Sequence, residues 1–184
     1  MSGASTIKNV AITNADVSGT TKTGIIAGQI IGKGTKLVNN VYVSGKVASN
    51  QFDGSYLGLG GLVGMISLTS GSSTISNVYS TADVYNNAAQ IAGGLIGKMS
   101  ASSGTATVTG AYSSGLVTGS LGFGTNAGFI GGIASGAVIA NSLWDTVTSN
   151  NLSGYGFNTG NAGSVTNLKG GCFGATTGCS MQPN

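Results

Sequence analysis

Apolar and polar positions along this chain alternate in short runs, and the runs recur. Val41-Tyr42-Val43-Ser44-Gly45-Lys46-Val47 alternates loosely, and residues 78–84 and 111–117 follow the same outline. β-Branched and aromatic residues gather in these runs, as a pleated, half-buried surface prefers. Between them lie very short apolar elements bracketed by glycine: Gln29-Ile30-Ile31-Gly32, Gly61-Leu62-Val63-Gly64, Gly94-Leu95-Ile96-Gly97 and Gly128-Phe129-Ile130-Gly131. No segment holds a 3.6-residue apolar stripe across three turns, so the pattern predicts strands and little helix.

The strand phrases repeat as well. Ile7-Lys8-Asn9-Val10, Val38-Asn39-Asn40-Val41-Tyr42, Ile75-Ser76-Asn77-Val78-Tyr79, Val108-Thr109-Gly110-Ala111-Tyr112 and Ile139-Ala140-Asn141-Ser142-Leu143-Trp144 place Val10, Val41, Val78, Ala111 and Ser142 at steps of 31, 37, 33 and 31 residues. Units of this period bury their apolar faces only against their neighbours. The expected fold is therefore all-β: a β-solenoid of about five stacked 31–37-residue repeats over residues 5–150. Residues 151–184 depart from the repeat and are expected to form an irregular C-terminal cap or docking segment.

Stacking places equivalent residues above one another. Asn9, Asn40, Asn77 and Asn141 should form a ladder at a turn, with Gly110 on the fourth rung, because Asn and Gly tolerate left-handed backbone. Tyr42, Tyr79 and Tyr112 should form an adjacent aromatic ladder, succeeded by Leu143 or Trp144 and expected inside the stack. Val17, Val47, Val84, Val117 and Val147 read as a looser third column.

Composition narrows the function. Charged residues make up 6% of the 184, and 40% are hydrophobic, which favours an ordered chain whose surface polarity comes from Ser, Thr and Asn. A formal charge of +3 spread over the repeats is too thin for nucleic acid, and no apolar run approaches a membrane-spanning helix. Residues 1–20 hold no basic segment followed by an apolar run, so no secretory signal is expected there.

The Gly-Leu-Val-Gly and Gly-Leu-Ile-Gly elements, each following an Asn-Val-Tyr strand, resemble the GLUG repeats of large secreted bacterial proteins. Asn141-Ser142-Leu143-Trp144-Asp145-Thr146-Val147-Thr148-Ser149 is similar to the phrase that often closes such arrays in filamentous-haemagglutinin-like adhesins. The resemblance covers about residues 5–150 and implies an exported β-helical stalk presenting adhesive surface. It brings no catalytic residues. Gln29 and Phe129 depart from the motif.

Candidate chemistry is sparse. The sequence has no His or Glu, so acid–base work would fall to Asp16, Asp53, Asp83 and Asp145 with Lys, Tyr and Cys. Asp16 and Asp83 occupy equivalent places two repeats apart, which reads as turn chemistry and not as a carboxylate pair roughly 5–9.5 Å apart. Lys33 and Lys98 follow the glycines taken as equivalent, Gly32 and Gly97, and read as edge solubilisers. Thr35, Thr74 and Thr107 recur before strands without forming a broad array. Phe52, Asp53 and Tyr56, in the longest insertion, are the candidate ligand-contact loop. Cys172 and Cys179 make a poor metal site, and export would favour a disulfide between them.

The expected function is an extracellular or cell-surface adhesin stalk or adhesive repeat region, without enzymatic activity, cofactor or metal. The alternatives are a self-assembling subunit of an extracellular filament and a glycan- or ice-binding module. Expected partners are copies of itself or further repeats end to end, and a host-surface protein or glycan.

Overall fold

A computed structural model describes residues 1–50, 58–87, 91–119, 125–151, 153–158 and 164–171. The chain winds through successive coils. The first contributes β1 (Ser5–Gly19) and β2 (Ala27–Ile31); the second, β3 (Thr35–Ser49), β4 (Gly58–Gly60) and β5 (Val63–Leu68). The third holds β6 (Gly71–Ser80), β7 (Asp83–Asn86), β8 (Ile91–Gly93) and β9 (Ile96–Ala101). The fourth holds β10 (Gly104–Thr109), β11 (Tyr112–Ser113), β12 (Val117–Gly119), β13 (Thr125–Ala127) and β14 (Ile130–Ile133). Then come β15 (Ala137–Asp145), β16 (Tyr155–Asn158) and β17 (Ser164–Gly171).

Each coil lays its strands in parallel on the coil before, forming a nine-stranded, a five-stranded and a three-stranded sheet. The fold is the expected all-β solenoid. Its ladders run on past residue 150: Ile130 pairs with Tyr155, and residues 138–145 of β15 pair with β17 from Val138↔Ser164 to Asp145↔Gly171.

The large sheet bends where the sequence placed its asparagines. Asn9, Asn40, Asn77 and Asn141 have φ of +57°, +53°, +52° and +48°, Gly110 has +58°, and Asn167 adds a rung at +53°. One left-handed residue shifts the phase of inward and outward side chains. In β3, Lys36 and Val38 point inward before Asn40, and Val41 and Val43 after it; in β6, Ser73 and Ile75 give way to Val78 and Ser80. The strand phrase thus buries apolar residues on both sides of a corner.

The main core joins this sheet to the five-stranded one through Val38, Val41, Ile66, Ile75, Leu95, Ile96 and Ile139. A second, smaller core joins Val47, Val84 and Val117 to Leu59 and Ala92 of the small sheet. Val147 leaves the expected third column: it is 51% exposed, because Asp145 Oδ1 accepts from Val147 N and Thr148 N and turns the chain away.

The glycine-bracketed element has a steric explanation. A Cβ on its first glycine would strike an inward residue of the next coil: Ser80 Oγ for Gly61, Ser113 Oγ for Gly94, the indole of Trp144 for Gly128. A Cβ on its last glycine would strike backbone of the preceding coil: Thr23 N for Gly64, Leu59 N for Gly97, Ala92 O for Gly131. The small sheet therefore lies directly on the five-stranded one, with no side chain between them at these points.

This packing corrects the register of the first unit. Ala27 pairs with Val63, so Ile25-Ile26-Ala27-Gly28 is its element, and Gln29-Ile30-Ile31-Gly32 lies one strand-length further, with Gln29 opposite Met65 and Ile30 opposite Ile66. Ser153-Gly154-Tyr155-Gly156 supplies a further copy, with Phe129 N donating to Gly154 O at 3.1 Å.

Gly97→Ala should cost about 3 kcal/mol, because rigid backbone meets the new methyl. Gly32→Ala, at φ +82° with open space around its Cβ, should cost about 1 kcal/mol. Urea unfolding of both variants checks this; equal losses would remove the packing explanation of the motif.

Candidate interaction face

The tyrosine ladder exists, but it faces outward. Tyr42 pairs with Tyr79 and Tyr79 with Tyr112 in parallel register, with ring centroids 5.4 and 4.9 Å apart and rings tilted by 37° and 33°. Tyr79 is 40% exposed, and Tyr42 and Tyr112 are half-buried. The expectation of an interior ladder fails because the left-handed corner resets the alternation: Val41 and Val43 take the inside, so Tyr42 between them points out. Ala11 precedes the column and Leu143 continues it. Trp144 is instead buried at 1% exposure, donating from Nε1 to Asn151 O at 3.2 Å.

Stacked rings cover one another's faces and leave edges and hydroxyls for solvent. The hydroxyls differ in setting. Hydrogen bonds to Thr81, 3.0 Å from the Tyr42 oxygen, and to Ser44 hold the Tyr42 phenol below its usual value. Burial, then the charge of Asp145, pushes Tyr112 above it. Beside the row, Lys46 Nζ sits 5.4 Å from the centroid of the Tyr85 ring.

The asparagine ladder runs along the adjoining corner. Asn40 Nδ2 donates to Asn9 Oδ1 at 2.9 Å and Asn167 Nδ2 to Asn141 Oδ1 at 3.1 Å. Across that corner, the outward positions carry hydroxyls in register: Thr35–Ser72–Thr105, Thr74–Thr107 and Ser76–Thr109. Thr35 is thus not the equivalent of Thr74 and Thr107, whose partner in β3 is Leu37. Sequence reading missed this hydroxyl surface because Ser and Thr share its columns.

Among the described residues the carboxylates do not converge. Asp16 and Asp83 lie on either side of Lys46 in strand register. Asp83 Oδ1 accepts from Leu116 N at 2.9 Å, and Asp145 is 3% exposed and closes its turn. Among the described residues no three potential metal ligands come together. Lys98 stands opposite Met65 and Gln29 rather than in Lys33's column, a consequence of the corrected register. Phe52, Asp53, Tyr56, Cys172 and Cys179 lie outside the described residues.

One buried cation was not legible in the sequence. Lys36 is 0% exposed, and its Nζ donates to Lys33 O and Gly34 O, the carbonyls of the turn that begins its own coil. Its role is to close that turn.

The chain matches no protein-family model, no curated protein and no solved structure.

Alkaline titration should separate the tyrosines. Tyr112, with its phenol raised in the fold, contributes stability that is present below the usual phenol value and lost as pH rises through its own value. Tyr42, with its phenol lowered, gains stabilisation as pH rises through its lowered value. Tyr112→Phe should therefore flatten the alkaline loss of stability and Tyr42→Phe should steepen it, read as urea midpoints against pH. Identical profiles would contradict these environments.

Proposed function

We propose that this chain is a non-enzymatic adhesive repeat region of an extracellular surface protein. The observation that carries the reading is the outward Tyr42–Tyr79–Tyr112 row, held on a stack whose backbone is fixed coil upon coil. Aromatic side chains combine large contact area with low entropic cost on binding, which suits them to interfaces. The hydroxyl and amide surface beside the row offers further hydrogen bonds. The resemblance to GLUG arrays of secreted proteins supports the same assignment, as does the use of Asp83 and Asp145 to hold backbone N–H groups.

The glycan-binding alternative draws support from the same face, where Thr35–Ser72–Thr105 and Thr74–Thr107 repeat at the spacing between coils. Protein or glycan is the identity of the surface bound, and the adhesive assignment holds for either.

Binding of the chain to immobilised collagen, fibronectin, mucin and an array of purified glycans tests the proposal. At least one surface should retain it. Tyr79→Ser should weaken that retention about tenfold, the loss of one exposed aromatic contact, and leave the melting temperature near that of the parent. No retention anywhere, or retention indifferent to Tyr79, would defeat the assignment.

A further inference from the structure

Three phenols of this chain are held side by side by the backbone. Tyr42, Tyr79 and Tyr112 pair in parallel register across β3, β6 and β11. Adjacent strands of a sheet lie only about 4.8 Å apart. The rings follow that spacing, with centroids 5.4 Å apart for Tyr42 and Tyr79 and 4.9 Å for Tyr79 and Tyr112. Ala11 precedes the row and Leu143 follows it. Two other tyrosines have different neighbours in register: Tyr85 stands between Ala48 and Thr118, and Tyr155 opposite Ile130. Tyr79, at the centre of the row, is 40% exposed, so small solutes reach it.

We infer that this row is a site of oxidative cross-linking, in which oxidation by peroxide joins Tyr79 to Tyr112 as dityrosine. Removal of one electron and the hydroxyl proton from each phenol leaves two phenoxyl radicals. Their unpaired electrons lie partly on the ring carbons beside the oxygen, Cε1 and Cε2. One Cε of Tyr79 and one of Tyr112 form a new C–C bond, with one electron from each ring. The hydrogen on each joined carbon then passes, through water, to its own ring oxygen and restores both phenols. The two electrons and two protons first removed reduce one hydrogen peroxide to two waters. Position selects the partner: the two rings already lie side by side, so coupling needs only side-chain rotation within one folded chain. Tyr42 lies further from Tyr79, and its hydroxyl is engaged with Thr81 at 3.0 Å. The bond staples the third coil to the fourth, joining positions 33 residues apart. A cross-link of that span restricts the unfolded chain and so stabilises the stack.

The coupling does not depend on the adhesive reading, since it is read as a covalent product and not as retention on a surface. Its test is treatment of the 184-residue chain, at low concentration, with hydrogen peroxide and a haem peroxidase, followed by thiol so that no disulfide contributes. The monomer should lose two hydrogens and gain the blue fluorescence of dityrosine. Cleavage after lysine should yield fragment 47–98 joined to fragment 99–169, with the link at Tyr79 and Tyr112. Tyr79→Phe keeps the ring, and circular dichroism verifies its fold. That variant should give no cross-linked monomer, because Tyr42 and Tyr112 stand two coils apart. On treatment, the urea midpoint of the parent should rise by more than that of Tyr79→Phe, which undergoes any other oxidation equally. No cross-linked monomer from the parent, a link between other residues, the same product from Tyr79→Phe, or midpoints that move equally would each overturn the inference.

Discussion

At one corner of every coil a residue holds φ between +48° and +58°: Asn9, Asn40, Asn77, Gly110, Asn141 and Asn167. Few side chains accept that conformation, and Asn and Gly lead among those that do. The corner turns the strand without ending it, and it moves the inward set of side chains by one position. Apolar residues three apart, Val38 and Val41 or Ile75 and Val78, therefore share one interior. The tyrosine that follows is carried to the outside by the same shift.

A second constraint is the thinness of the stack where the small sheet lies on the five-stranded one. Glycines there stand where any Cβ would enter a neighbour's backbone or an inward side chain. The first of each bracketing pair yields space to a residue of the next coil, Ser80, Ser113 or Trp144, and the last to backbone of the coil before. The element is a packing device, and its recurrence follows from the recurrence of the contact.

The proposed function rests on what this geometry leaves outside. A row of tilted tyrosines, a ladder of amides and columns of hydroxyls share two adjoining outer faces, while Asp83 and Asp145 are occupied in holding turns. The stack sets the spacing of these groups, and backbone pairing between coils keeps it. This surface is what the proposed adhesive function draws on.

The repeat period, the strands, the asparagine corners and the column through Val17, Val47, Val84 and Val117 were legible in the sequence, because each is a residue type demanded by local backbone at a fixed interval. Three things were decided only by the folded coils. The direction of the tyrosines depended on the phase shift at the corner, which alternation by itself does not reveal. The placing of Ile25-Ile26-Ala27-Gly28 under Gly61-Leu62-Val63-Gly64 depended on which residues pair across coils, where the neighbouring Gln29-Ile30-Ile31-Gly32 looked as good by composition. The burial of Lys36 depended on what lies above and below each coil. Local sequence sets the shape of one coil; only stacking decides which of its faces meets water.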